Sequence, residues 1–328
     1  MMSMELVNLI FNWREKPTIW RNCSHWLIFH SLRLLSYLAQ RVSPATAIGL
    51  GHWLGWLAYY LFKQRRVIAK SNLASAFSDD LSAVEIDWIC RSNFRQLGQT
   101  VIEFLRFPIF TARSLWKSVE MEGEKHLMAA LQKKKGVILF LPHFGNWEIL
   151  SLAYGARFPN RVKAIAFRLK NRLLSDWVWS YRQQLSTEII PQKRAIRETL
   201  RSLKKNEIVG FLADQNAANA GVFVEFFGKP VYAVKGPIAL AIKTGSPILF
   251  SIAIRQPNGK HKIYVHPPTS LRITNDYESD IQFNTQKMLS LLETYIRQYP
   301  DQWLWIHNRW KIRPPDESDQ DSHSNNAA

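Results

Sequence analysis

Residues 136–148 read GVILFLPHFGNWE. The apolar run from Gly136 to Leu141 is short, unbroken and closed by Pro142, the pattern of a strand buried on both faces. A histidine follows at once and a carboxylate stands five residues later. Inside one regular helix, five residues turn about 500° and leave two side chains about 140° apart. Pro142 and Gly145 instead place His143 on a strand-to-helix turn, from which its ring folds back over the first helical turn toward Glu148. A neutral imidazole beside a carboxylate takes a proton from a hydroxyl, and the carboxylate fixes the tautomer by accepting from the other ring N–H. The stretch holds no Ser or Cys, and the chain has no G-x-S-x-G pattern, so the base would activate an incoming hydroxyl rather than a protein nucleophile. Taken alone, H-x-x-x-x-E also fits a structural histidine at a strand end.

The texture on the C-terminal side of this stretch is α/β. VKAIAFR, TEIIP, EIVGFLAD, PILFSIAIR and KHKIYVHPP read as strands. Between and after them, residues 146–156, 171–186, 193–205, 235–245 and 279–299 read as helices. Alternation of this kind predicts a sheet covered by helices on both faces. Residues 71–107 read as helical, with Ser82 and Glu85 at capping-box spacing, and 114–135 as a polar bridge. The predicted organisation is an N-terminal helical, membrane-anchoring region over 1–110, an α/β domain over 111–313, and a polar, disordered tail over 314–328.

The N-terminal region carries two apolar stretches, 25–39 and 47–62, each shorter than the ~20 residues that cross a bilayer as a helix. They fit buried helices of a soluble protein, interfacial helices, or one tilted span. Their Trp and Tyr content and the Lys63, Arg65, Arg66 flank favour a membrane boundary with the body on the cytoplasmic side. Residues 1–20 lack the pattern of a secretory signal. The 328 residues include 13 Trp and carry a net charge of +17, which points to a polyanionic partner such as an anionic lipid or a nucleic acid. No zinc-finger or RNP-like motif accompanies that charge. The two cysteines, Cys23 and Cys90, have no metal or redox spacing.

LPHFGNWE resembles the signature of the late acyltransferases of lipid A biosynthesis, within the wider glycerolipid acyltransferase group and its H-x-x-x-x-D/E motif. RRVIAKSNLASAF at 65–77, AFRLKN at 166–171, LADQNAANAGVFVEFFGKP at 212–230 and YPDQWLWIHNRWKIRP at 299–314 resemble further family blocks, in order. Leu169 stands where relatives commonly place proline. The resemblance implies a glycerolipid-acyltransferase-like mixed sheet with His143 as general base and Glu148 as its partner. It implies an acyl thioester donor on acyl-carrier protein or coenzyme A, and a lipid hydroxyl acceptor at the cytoplasmic face of the inner membrane. It implies no metal, no nucleotide cofactor and no nucleic-acid partner.

A lipid A precursor is the leading acceptor, with a phosphoglycerolipid or another glycolipid as the alternative. A non-catalytic basic protein that binds membrane or nucleic acid is the reading from a different class. Arg168, at the end of a predicted strand, is expected at the oxyanion or at an acceptor phosphate. Asp214 is expected to hold Arg168 or another cation, and Gln215 a sugar or glycerol hydroxyl. Asn146, inside the motif, is counted with the substrate-binding residues. FFG at 226–228 reads as a packed turn, and Trp303 and Trp305 as core.

Overall fold

The computed structural model describes residues 18–217 and 220–314. The first seventeen residues and those after Pro314 lie outside it, and with them the reading of the N-terminal signal and of the polar tail. Seven strands form the central sheet: β1 (Val119–Glu122), β2 (Val137–Leu141), β3 (Val162–Ala166), β4 (Thr187–Pro191), β5 (Ile208–Leu212), β8 (Ile248–Arg255) and β9 (His261–Val265), in the order β1-β9-β8-β2-β5-β3-β4. Every pairing is parallel except β8 with β9. A mixed, mostly parallel sheet is therefore observed, as the resemblance implies. β1 lies within 114–135, the segment read as a polar bridge; its sequence VEME has only one buried residue, so it carried no apolar signal. A two-stranded antiparallel ribbon, β6 (Gly221–Phe226) and β7 (Lys229–Val234), stands apart, and its turn is Phe227-Gly228 with both residues at positive φ.

The helices are α1 (Thr18–Ala39), α2 (Pro44–Leu61), α3 (Lys63–Phe77), α4 (Ala83–Leu105), α5 (Ala112–Leu115), α6 (Glu124–Gln132), α7 (Trp147–Arg157), α8 (Arg172–Arg182), α9 (Ala195–Lys204), α10 (Gly236–Thr244) and α11 (Tyr277–Gln298). The helix expected over 71–107 is two helices. The break at 78–82 follows from Ser78 at φ 44° and from the Ser82–Glu85 capping box, in which each residue bonds the other's backbone N–H. None of the described helices is long and apolar enough to cross a membrane. α2 lies hard against α4: a Cβ at Gly98 would sit 2.2 Å from the Gly51 carbonyl, and one at Gly55 2.2 Å from that of Phe94.

The sheet has two distinct apolar faces. Ile138, Phe140, Val209 and Phe250 pack with α10, α11 and the C-terminal Trp303 and Trp305. Val137, Leu139, Leu141 and Ile208 pack on the other face with Ile149, Leu150 and Tyr154 of α7. β2 is wholly buried at the centre, the reason its sequence runs apolar without alternation. Trp303 and Trp305 are core residues, as expected.

The turn after β2 is clamped by the C-terminal segment. Gly145 N–H donates to Gln302 O at 2.9 Å, Leu304 N–H to His143 O at 3.1 Å, and Phe144 bridges Trp303. Gly145 is required there. Its φ is +54°, and a Cβ would lie 2.2 Å from Ala253 O on β8. Gly145→Ala should cost at least about 2 kcal/mol in urea unfolding; an unchanged midpoint would contradict this account of the turn.

Candidate active site

β2 and β5 are neighbours in register, Leu141 opposite Leu212. Two residues beyond each lie His143 and Asp214, so the parallel pairing delivers them to the same height at the carboxyl end of the sheet. The ladder continues one step further with Ala213 N–H donating to Leu141 O at 3.1 Å. Asp214 Oδ1 meets His143 Nδ1 at 2.7 Å, while Oδ2 accepts from the His143 amide at 2.9 Å and from Trp303 Nε1 at 2.8 Å. Burial alone would raise this carboxyl. The imidazole and these hydrogen bonds outweigh it and hold Asp214 below the usual carboxylate range. Ionised Asp214 accepts at both oxygens, which fixes the proton of neutral His143 on Nδ1 and leaves Nε2 as the basic atom. Nε2 is buried and has no partner among the described residues.

Glu148 is not the imidazole's partner. It lies in the first turn of α7, where both its oxygens are taken by Arg182 of α8: Nε donates to Oε2 at 2.8 Å and Nη2 to Oε1. Burial pushes the Glu148 carboxyl up, and the Arg182 charge and hydrogen bonds more than reverse that. The expected His143–Glu148 hydrogen bond is thus replaced by two pairs, His143–Asp214 and Glu148–Arg182. The physical reason is the helical rotation between turn and first turn, which carries Glu148 to α8 while the strand register brings Asp214 to the ring. His143 and Glu148 still line one cavity between α7 and the sheet.

The other expected residues divide. Asn146 is engaged in structure: its Oδ1 caps α7 by accepting from the amides of Glu148 at 3.0 Å and Ile149 at 2.9 Å, and its Nδ2 donates to Glu103. Glu103 in turn binds Arg255, with His261 at 3.3 Å, and those charges pull its carboxyl down to about 2 against the cost of burial. Asn146 therefore positions the turn through both of its side-chain polar atoms. Arg168 lies just beyond the end of β3 but is exposed, pairs with Asp176 at 2.8 Å and stacks over Trp179 at 4.2 Å. Asp214 does not hold it.

Gln215 is buried, and neither its Oε1 nor its Nε2 has a partner among the described residues. It stands between Asp214 and Asn216, whose Oδ1 accepts from Arg309 Nη1 at 2.6 Å. Arg309 is fully buried with Nε and Nη2 unpartnered among the described residues, and burial pushes it down to about 10. Sequence reasoning missed Trp303 and Arg182 as members of the site. Trp303 carried only an apolar signal, and Arg182 lies 34 residues from its partner.

A buried carboxylate thus orients an imidazole on the wall of a largely apolar cavity, an arrangement able to take a proton from a hydroxyl. The chain matches the profile of bacterial lipid A biosynthesis acyltransferases over residues 15–312, and it belongs to that family. It is an acyltransferase. It is 27% identical to a lipid A biosynthesis palmitoleoyltransferase of Escherichia coli (strain K12) over 297 residues, 90% of this chain and 94% of that one. It is 25% identical to the lipid A biosynthesis lauroyltransferase of the same strain, over 88% of this chain and 93% of the relative. It is 29% identical to a phosphatidylinositol mannoside acyltransferase of Mycobacterium tuberculosis (strain ATCC 25618 / H37Rv), over 74% of this chain and 76% of the relative.

The two pairs make separable predictions. Asp214→Asn should lower acyl transfer on the order of 10⁴-fold by releasing the tautomer. Arg182→Met should instead destabilise the fold by about 3–5 kcal/mol in urea, because Glu148 is left buried and unpaired, and the double variant Glu148→Leu/Arg182→Met should recover most of that loss. A Glu148→Gln protein that unfolds normally yet loses as much activity as Asp214→Asn would contradict the assignment.

Proposed function

We propose that the protein transfers a fatty acyl chain from an acyl thioester to a hydroxyl of a lipid A precursor, with His143 as general base. The observation that carries this reading is the unpartnered, buried Nε2 of an imidazole whose Nδ1 is bound by Asp214, on the wall of a cavity lined mostly by Leu, Val, Ile and Ala. The acceptor O–H gives its proton to Nε2 as its oxygen bonds the thioester carbonyl carbon. The tetrahedral intermediate then expels the thiolate as the C–S bond breaks, and the imidazolium returns the proton to sulfur. Asp214 remains ionised throughout and stabilises the imidazolium. The amides of His143, Phe144 and Gly145 are already committed to Asp214, Pro142 and Gln302. The Gln215 carboxamide, next to Asp214 in the chain, keeps its hydrogen bonds uncommitted among the described residues.

The phosphatidylinositol mannoside acyltransferase among the relatives supports a second acceptor class, another membrane glycolipid. Both classes present a sugar hydroxyl at a membrane surface. α1 and α2 suit that setting, since Trp26, Leu27, Leu34 and Leu38 on the first and Trp53, Trp56 and Leu61 on the second are exposed. Lys63, Arg65 and Arg66 follow directly. We place these helices in the membrane interface, aromatic side chains at headgroup depth.

Mass spectrometry of membrane lipids from cells with and without the protein tests the whole reading. A glycolipid should gain the mass of one acyl chain with wild type and not with His143→Ala, and the lipid that gains it names the acceptor. Equal gain with both proteins would remove His143 as the base. Loss of vesicle binding is expected for Trp53→Asp/Trp56→Asp, and retained binding would contradict the interfacial placement.

A further inference from the structure

The cavity exists because of a gap in one cross-strand row of the sheet. Facing α7, the register places Leu141 and Leu212 in the row nearest His143, and Val137, Ile208 and Val162 in the row furthest from it. The middle row runs Leu139, Gly210, Ala164, Ile189 across β2, β5, β3 and β4. Its two central positions therefore carry no side chain and a single methyl, where every neighbouring row has at least one large side chain at those strands. Gly210 and Ala164 both line the cavity, and Tyr154 and Ser151 of α7 line it opposite the sheet. Gly210 is an unfavourable residue for a strand centre and its φ is not in the left-handed region, so no backbone demand accounts for it. A Cβ there would project toward the cavity wall, 3.0 Å from Leu141 Cδ1 and 3.8 Å from Lys163 O. The small-residue row is joined to the chemistry by His143, which lines the same cavity.

The geometry points to Gly210 and Ala164 as the residues that set the length of acyl chain the protein accepts, an inference that rests on the acyltransferase reading above. A chain whose carbonyl lies at His143 extends along the strands toward their amino ends. At about 3.3 Å per strand residue, the middle row lies four residues, or about 13 Å, below His143. Its terminal carbons then lie over Gly210 and Ala164, and a methyl added to either shortens the slot where the chain ends.

The test measures transfer rates for a series of saturated acyl thioesters of graded length on one carrier, in competition, for wild type, Gly210→Ala and Ala164→Val. Each variant should shift the preferred chain to a shorter one, with the ratio of longest to shortest accepted chain falling about tenfold or more. Thermal unfolding of the same samples identifies any variant that fails to fold, and two variants on different strands keep the test decisive. Folded variants with the wild-type length preference would overturn the role of this row while leaving the acyltransferase reading intact. A wild-type protein that transfers none of the chains would overturn that reading and this inference with it.

Discussion

The parallel pairing of β2 with β5 is the constraint on which the site depends. It sets Leu141 opposite Leu212 and so brings the residues two places beyond each strand into contact at the carboxyl end of the sheet. Strand ends of open α/β sheets present side chains and free backbone groups that the sheet interior cannot, and ligands gather there. Here the outcome is a carboxylate with both oxygens occupied, one on the imidazole and the other on the histidine's own amide and on Trp303. Asp214 holds the ring's tautomer, the ring's backbone and the C-terminal strap at once. A one-residue slip of β5 would turn Asp214 to the opposite face and dismantle all three.

The second buried pair, Glu148–Arg182, has a different task. Two opposed charges removed from water contribute little net stability, but removal of either leaves the other unpaired in the interior. The pair ties the first turn of α7 to the end of α8 and closes the cavity wall beside His143. Behind the turn, the Glu103–Arg255 pair does the same for Asn146, the cap of α7. The turn that carries His143 is thus held from three sides: by α7 and its cap, by β8 through Gly145, and by the C-terminal segment through Gln302 and Leu304.

Much of this was legible in the sequence. Apolar runs bounded by Pro, Gly or charges mark the positions of β2, β3, β4, β5, β8 and β9, and the capping-box spacing of Ser82 and Glu85 is visible in the sequence, although the helix break it makes is not read from it. Gly145 and Pro142 placed His143 on a turn. What periodicity cannot carry is which strand lies beside which, and this is where the readings of Glu148 and Asp214 changed. Glu148 was the nearest acid along the chain, whereas Asp214, 71 residues away, is the nearest in space. The edge strand β1 is not legible because an edge needs no continuous apolar run, and Arg168, expected at the site from its place at a strand end, turns its side chain to Asp176 and Trp179. The blocks of the C-terminal segment were recognised, but the role of Trp303 as a donor to Asp214 belongs to its indole N–H, which an apolar count does not register.

The central claim is that Asp214, and not Glu148, fixes the imidazole of His143. Nitrogen-15 NMR of the histidine side chains, with the His143 signals identified by their loss in His143→Gln, tests it directly. The account predicts that the neutral form of the His143 ring carries its proton on Nδ1 and is bare at Nε2, a tautomer that survives Glu148→Gln and is lost in Asp214→Asn. A ring protonated on Nε2 in the wild type, or one indifferent to Asp214→Asn but altered by Glu148→Gln, would contradict it.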